Sequence, residues 1–230
     1  MPEQIPVDIF ASKGTEYILV IFFLATLILY WRFLQKPVGA AAVSSVMQRI
    51  PAPGKWFSLS PDLYYHPGHS WALPGEEGIV TVGVDDFAQK MIGQPDSVGL
   101  PAVGATVAQG VPALNFNVEN ESVELLSPVD GNVVAVNQAV IDSPHLVNSD
   151  PYGDGWLMKV RSSRLKPNLK NLLHKKLAVA WIQITENTLR QQMVGDLGMV
   201  MQDGGVPVSG IARNLSGAQW DETVKEFFLT

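Results

Sequence analysis

Residues 78–93 read GIVTVGVDDFAQKMIG, and this stretch decides the fold. Residues 78–84 are rich in valine, isoleucine and threonine, a composition that predicts a β-strand. Asp85 follows as a plausible N-cap, and Gly93 is a plausible stop, so residues 85–93 are expected to form a short helix. This strand and helix belong to a region of short β-prone runs separated by turns.

Short β-prone segments recur on the C-terminal side of this stretch. They are separated by turn residues, and Val129-Asp130-Gly131 supplies the turn chemistry between two of them. The predicted strands are residues 97–100, 113–118, 123–126, 131–137 and 156–160. This succession predicts a mainly β domain built as a compact barrel or sandwich.

Several blocks of this region resemble the H protein of the glycine cleavage system, a lipoyl-carrying domain. In chain order the blocks are GHSW at 68–71, VTVGVDDFAQ at 80–89, LPAVGA at 100–105, SPVDG at 127–131 and LVNSDPYGDGWL at 146–157. The resemblance covers residues 56–161 and implies a barrel-sandwich hybrid fold. We therefore expect an H-protein-like β domain at 56–163.

The chain departs from that family at the position that carries its chemistry. The family places a lysine on a β-turn before the SPVDG-like block, and this lysine carries lipoic acid through an amide. Asn120 stands at that place here, and no lysine occurs between Lys90 and Lys159. An asparagine amide is not nucleophilic, so we predict that Asn120 is unmodified and that the chain holds no cofactor.

The predicted turn is acidic, because Glu119 and Glu121 flank Asn120. One interpretation is a solvated hairpin tip, which is the commoner role of charged tips. The other is a docking surface for a basic partner, with Glu119, Asn120 and Glu121 as contact residues.

Residues 17–34 read YILVIFFLATLILYWRFL, a length and composition typical of a transmembrane helix. A cleaved signal peptide is disfavoured because the preceding residues 1–16 are acidic, and a buried core helix because no polar face interrupts the run. Arg32, Lys36 and Arg49 follow the span, which predicts a single-pass membrane protein with a cytoplasmic C-terminal domain. Membrane lipid is then an expected partner, and residues 35–55 are a linker.

The C-terminal part is expected to be helical. Leu169, Leu173, Leu177, Trp181 and Ile184 recur at three- and four-residue steps, which predicts one apolar helical face within a segment at 164–194. Residues 195–230 form an extension with a hairpin expected at 203–205 and a short terminal helix. Trp220, Phe227 and Phe228 on that helix are predicted to bind a partner protein.

Composition excludes several classes of function. The 230 residues include no cysteine, which removes disulfides, iron–sulfur clusters and cysteine nucleophiles. The net charge of -6 disfavours nucleic acid as a partner. No nucleophile elbow or phosphate loop occurs, and we predict no catalytic residue.

Three functions remain open. The first is a non-catalytic, non-lipoylated structural or docking subunit of a membrane complex, for which a redox or respiratory assembly is the expected host. The second is a membrane-tethered group carrier related to the H protein. The third is a metal-dependent enzyme at His66 and His69, which is disfavoured because zinc sites usually need four ligands and often thiolates.

Overall fold

The computed structural model describes residues 9–34, 56–119, 121–197, 210–211 and 220–229. The chain divides into two compact units, Met1–Ala52 and Pro53–Thr230. The linker expected at 35–55 and the hairpin expected at 203–205 lie outside the described residues.

The first unit holds helix α1, Ile9–Leu34. Its described side chains are those of residues 17–30, all of them exposed. Among the described residues, no helix has both the length and the apolar character that crossing a bilayer requires. The predicted transmembrane helix at 17–34 is therefore not supported. This finding contradicts the prediction of a single-pass membrane protein with a cytoplasmic C-terminal domain.

The second unit is mainly β. Its strands are β1 Tyr64–Tyr65, β2 Ser70–Pro74, β3 Ile79–Val84, β4 Ser97–Gly99, β5 Thr106–Val107, β6 Pro112–Val118, β7 Glu121–Leu126, β8 Gly131–Val136, β9 Met158–Arg161 and β10 Leu173–His174. Its described helices are α2 Asp86–Ile92, α3 Gln138–Asp142, α4 Leu146–Ser149, α5 Leu165–Lys170, α6 Lys176–Leu197 and α7 Trp220–Phe228.

Two antiparallel sheets organise these strands. One sheet has the order β10-β1-β2-β3-β9-β8-β5, and the other has the order β4-β6-β7. The first residue of β8 must be a glycine, because Gly131 has a φ of +152° and a Cβ there would meet the carbonyl of Arg161. The expected mainly β fold is confirmed at this level.

The strand–helix junction forms as the sequence predicts. Strand β3 ends at Val84, and the side chain of Asp85 accepts a hydrogen bond from the Ala88 N–H at 2.8 Å. Helix α2 ends at Gly93, whose φ of +87° suits glycine. The predictions of the N-cap and of the stop are both confirmed.

The single apolar helical face predicted from Leu169 to Ile184 is wrong. Strand β10 interrupts it by pairing with β1, so Leu169 belongs to α5 and Leu173 to the sheet. Within α6, Leu177 is 66% exposed and Ile184 is 63% exposed, whereas Ala178, Ile182 and Leu189 are buried. The interruption changes the phase of the helix, so that a different set of residues faces the core.

Candidate functional site

The β6–β7 hairpin is the first candidate site, because the family position for an attached cofactor lies at its tip. The two strands pair from Pro112 with Leu126 to Val118 with Glu121. Glu119 has a φ of +55°, and its N–H donates to the Asp96 carboxylate at 2.5 Å. Both Glu119 and Glu121 are exposed, whereas Asn120 lies outside the described residues.

A buried pair, His69 and Asp85, is the second candidate. The Nδ1 atom of His69 lies 2.9 Å from the Asp85 carboxylate, and the two residues are 1% and 0% exposed. A carboxylate only accepts hydrogen bonds, so Nδ1 of His69 carries the proton. The other Asp85 oxygen accepts from Ala88, as the helix cap. Both carboxylate oxygens are thus used inside the fold, and neither is open to a substrate.

Aromatic rings enclose the His69 imidazole. Phe87 stacks on it with centroids 4.0 Å apart, Trp181 lies at 4.6 Å, and Phe228 approaches edge-on at 5.8 Å. His69 itself has a φ of +64°, a strained conformation for a residue other than glycine. Packing on all sides holds this strain in place. Within the described part of the chain, the cluster is therefore a packed interior in which His69 is only 1% exposed.

The other motif blocks also serve the packing of the fold. Trp71 lies against Gly83, where a Cβ would meet the indole ring. Its Nε1–H donates to the carbonyls of Val84 and Pro151, at 2.9 and 3.1 Å. Tyr152 joins two segments, because its hydroxyl donates to the Ser58 carbonyl and accepts from the Asp86 N–H. Residues that match the family blocks thus pack together in the core of the domain.

The structure gives no support to a metal centre at His66 and His69. The Gly68 N–H donates to Nδ1 of His66 at 3.0 Å, and Nδ1 of His69 is committed to Asp85. Burial and, secondly, the neighbouring His69 lower the pKa of His66. Within the described part of the chain, no group of three or more histidine or acidic residues could hold a metal ion.

The C-terminal aromatic residues lie differently from the predicted partner-binding face. Phe227 is 7% exposed and contacts Phe87 at 5.3 Å between centroids, and Phe228 is 0% exposed. Helix α7 packs on strand β7, so its apolar side is buried within this chain. Phe227 and Phe228 are therefore unavailable to a partner. Trp220 begins α7, and its side chain lies outside the described residues.

The centre of this cluster is not predictable from the sequence. Asp85 is predicted only as a helix cap, and no pattern predicts the contact between His69 and Phe228. These two residues are far apart in the chain, and a single sequence carries no signal that would pair them. The motif blocks that contain His69, Trp71 and Tyr152 marked the right segments without showing that they converge.

Known proteins are similar to this chain over the same segments. The family model for the glycine cleavage H-protein matches residues 63–185. The glycine cleavage system H protein of Pseudoalteromonas atlantica is 40% identical over 105 residues, which are 46% of this chain and 81% of the relative. The probable glycine cleavage system H protein of Thermococcus kodakarensis is 38% identical over 117 residues, 51% of this chain and 87% of the relative.

A solved glycine cleavage system H protein from Mycobacterium marinum is also similar, with 34% identity and a TM-score of 0.43. That similarity covers 46% of this chain and 87% of the solved one. The match to the family model extends over more than half of the chain, across both sheets and into helix α6. The chain belongs to the glycine cleavage H-protein family.

Proposed function

We propose that this chain is a non-catalytic H-protein-like subunit that docks in a protein assembly without carrying lipoate. One observation carries the proposal, namely that no lysine occurs between Lys90 and Lys159. Attachment of lipoate through an amide requires a primary amine at the hairpin tip. The family resemblance implies a carrier subunit that is not itself a catalyst. The docking subunit proposed here is likewise not a catalyst, but it carries no lipoate.

Lys90 and Lys159, which border the lysine-free stretch, are poorly placed to act as a carrier lysine. The Nζ atom of Lys90 donates to the Asp86 carboxylate at 2.9 Å and to the Trp56 carbonyl at 3.0 Å. Lys159 lies within strand β9, and its Nζ atom sits 5.0 Å from the centroid of the Trp156 ring. A swinging arm needs an exposed turn tip, and neither lysine occupies one.

Charge at the hairpin tip supports docking. Glu119 and Glu121 are exposed and flank Asn120 in the chain, and the Glu119 N–H donates to the carboxylate of Asp96, which is exposed as well. A cluster of carboxylates favours a basic partner surface through electrostatic complementarity, and such contacts act on association rate and specificity. We propose this tip, with Asn120 at its centre, as the contact region for another protein subunit.

Intact mass spectrometry tests the absence of lipoate. The full chain is expressed in a host that lipoylates its own proteins, and the measured mass is expected to equal the mass of the unmodified sequence. The variant Asn120→Lys supplies an amine at the family position and is expected to gain a lipoyl group, whereas Asn120→Gln is not. A lipoyl increment on the unaltered chain contradicts the proposal.

Affinity purification tests the docking role. The full chain is expected to co-purify with defined protein subunits, and Glu119→Gln with Glu121→Gln is expected to weaken that association by roughly tenfold at low ionic strength. Glu76→Gln with Glu77→Gln is the matched control, because this acidic pair is also exposed but lies in the turn before β3. Equal losses in both double variants would remove the hairpin tip from the proposal.

Family membership favours one second candidate, a group carrier that uses another attachment site. Its relatives are named as components of a glycine cleavage system. Peptide mapping in the same experiment distinguishes the two candidates, because a carrier acquires a modified lysine outside residues 91–158 in the unaltered chain. The docking subunit shows no modified peptide.

A further inference from the structure

An open cavity of about 450 Å³ lies beside the start of helix α6. Residues 59–61 form one side, the first turns of α6 form the other, and Tyr65 of strand β1 lies between them. This volume is within the range of small-molecule sites in proteins, roughly 300 to 1,000 Å³. The cavity is separate from the hairpin tip and from the His69 interior.

The walls of the cavity are mostly apolar. Leu59, Pro61, Ala178, Val179 and Ala180 line it with aliphatic groups. Tyr65 contributes its ring, since its hydroxyl already donates to the carbonyl of Ser60 at 2.9 Å. Val179 is 49% exposed. An aliphatic chain in this cavity would remove from water apolar surface that the fold leaves open.

Two basic residues also line the cavity. Lys175 and Lys176 both line it, and both are exposed. In the part of the chain that the structure describes, neither lysine forms an ion pair. This contrasts with the whole chain, which carries a net charge of -6. Two ammonium groups beside an apolar cavity are complementary to an anionic head on an aliphatic chain.

We propose that this cavity binds an aliphatic carboxylate, with its chain against Val179 and Ala180 and its carboxylate at Lys175 and Lys176. The two lysines select the anion, and the aliphatic wall sets the affinity through the length of the chain. This binding activity is additional to the proposed docking role and does not depend on it. It needs no covalent step.

Isothermal titration of the full chain with hexanoate, octanoate and decanoate tests the proposal. Each added methylene is expected to tighten binding by up to about fourfold, because burying one contributes about 0.8 kcal/mol. Decanol, which has the chain without the charge, is expected to bind at least tenfold more weakly than decanoate. Equal binding of decanol, or no saturable binding of decanoate up to about 1 mM, overturns the proposal.

Two variants locate the site. Lys175→Gln with Lys176→Gln removes the charges and is expected to weaken decanoate binding about tenfold, whereas Lys170→Gln on α5 is expected to leave it unchanged. Ala180→Leu places a larger side chain in the cavity and is expected to weaken decanoate more than hexanoate. Thermal unfolding of each variant verifies that it folds. Decanoate binding that persists unchanged in the double lysine variant overturns the assignment to this cavity.

Discussion

The interior around His69 and the tip of the β6–β7 hairpin lie in one domain but differ in burial and in bonding. At the interior, His69 and Asp85 are 1% and 0% exposed, and rings close the space around them. At the tip, Glu119 and Glu121 are exposed and acidic. The family blocks converge on the interior, and the family's attachment position falls at the tip. Different residues thus determine the fold and the attachment of the carrier group. A chain can therefore keep the fold and lose the attachment.

Replacing Asp85 is expected to produce the largest loss of stability, because its carboxylate bonds both to His69 and to the first turn of helix α2. Asp85→Ala removes the partner of His69 Nδ1 and the cap of helix α2 together. Leaving the buried Nδ1 group of His69 without its hydrogen-bond partner costs up to about 3 kcal/mol, and loss of a cap costs about 1 kcal/mol. Denaturant unfolding measures the change in the free energy of unfolding.

Two variants make this prediction specific. Asp85→Asn keeps a capping oxygen and loses the charge, so its effect should fall between those of the parent and Asp85→Ala. Asp154→Ala removes an exposed carboxylate and should change stability by less than about 0.5 kcal/mol. If Asp85→Ala were as mild as Asp154→Ala, the interior would not depend on the His69–Asp85 pair.

Replacing a core residue of the C-terminal helix α7 is expected to give the second-largest loss of stability. Phe228 is 0% exposed, whereas the next residue, Leu229, is 54% exposed. Phe228→Ala is expected to destabilise the domain by about 3–4 kcal/mol through lost burial and a cavity, and Leu229→Ala by less than about 0.5 kcal/mol. Similar unfolding midpoints for these two neighbours would show that α7 does not belong to the core.

Local signals explain which parts of this fold the sequence predicts. Strand β3, the cap at Asp85, helix α2 and its stop at Gly93 are encoded within residues 78–93, and the structure has all four. Their propensities and capping preferences act between near neighbours, so one sequence suffices to identify them. The family blocks extend this success to the mainly β architecture.

Long-range contacts explain the failures. Strand β10 exists because Leu173 and His174 pair with β1, and this pairing ends the helical phase that Leu169 begins. Phe227 and Phe228 are predicted to bind a partner protein, but an apolar helix face has two possible destinations, a partner or the core of its own chain. No feature of the neighbouring sequence distinguishes these two destinations. The same limit applied to His69, whose aromatic neighbours come from α2, α6 and α7.

A smaller effect is expected at the hairpin tip, where the backbone rather than the core is under strain. Glu119 has a φ of +55°, in the left-handed region that favours glycine. Glu119→Gly should therefore be neutral or stabilise the fold by up to about 1 kcal/mol, whereas Glu121→Gly in strand β7 should destabilise it by about 0.5–1 kcal/mol. Thermal unfolding compares them. Destabilisation by Glu119→Gly as large as that by Glu121→Gly would mean that the Glu119 side chain, and not its backbone, stabilises the turn.

The smallest effect is a pH dependence at the edge of the interior. Burial lowers the pKa of His66 below its ordinary value of 6.5. The unfolded chain therefore binds this proton more readily, and stability should fall as the pH decreases below about 6.5 towards the pKa of the folded state. Protonation also removes the acceptor of the Gly68 N–H. His66→Asn offers an oxygen in place of Nδ1 and cannot titrate, so its stability should decline less over that range. If the stability of His66→Asn followed the same pH curve as the parent, the pH dependence would belong to other groups.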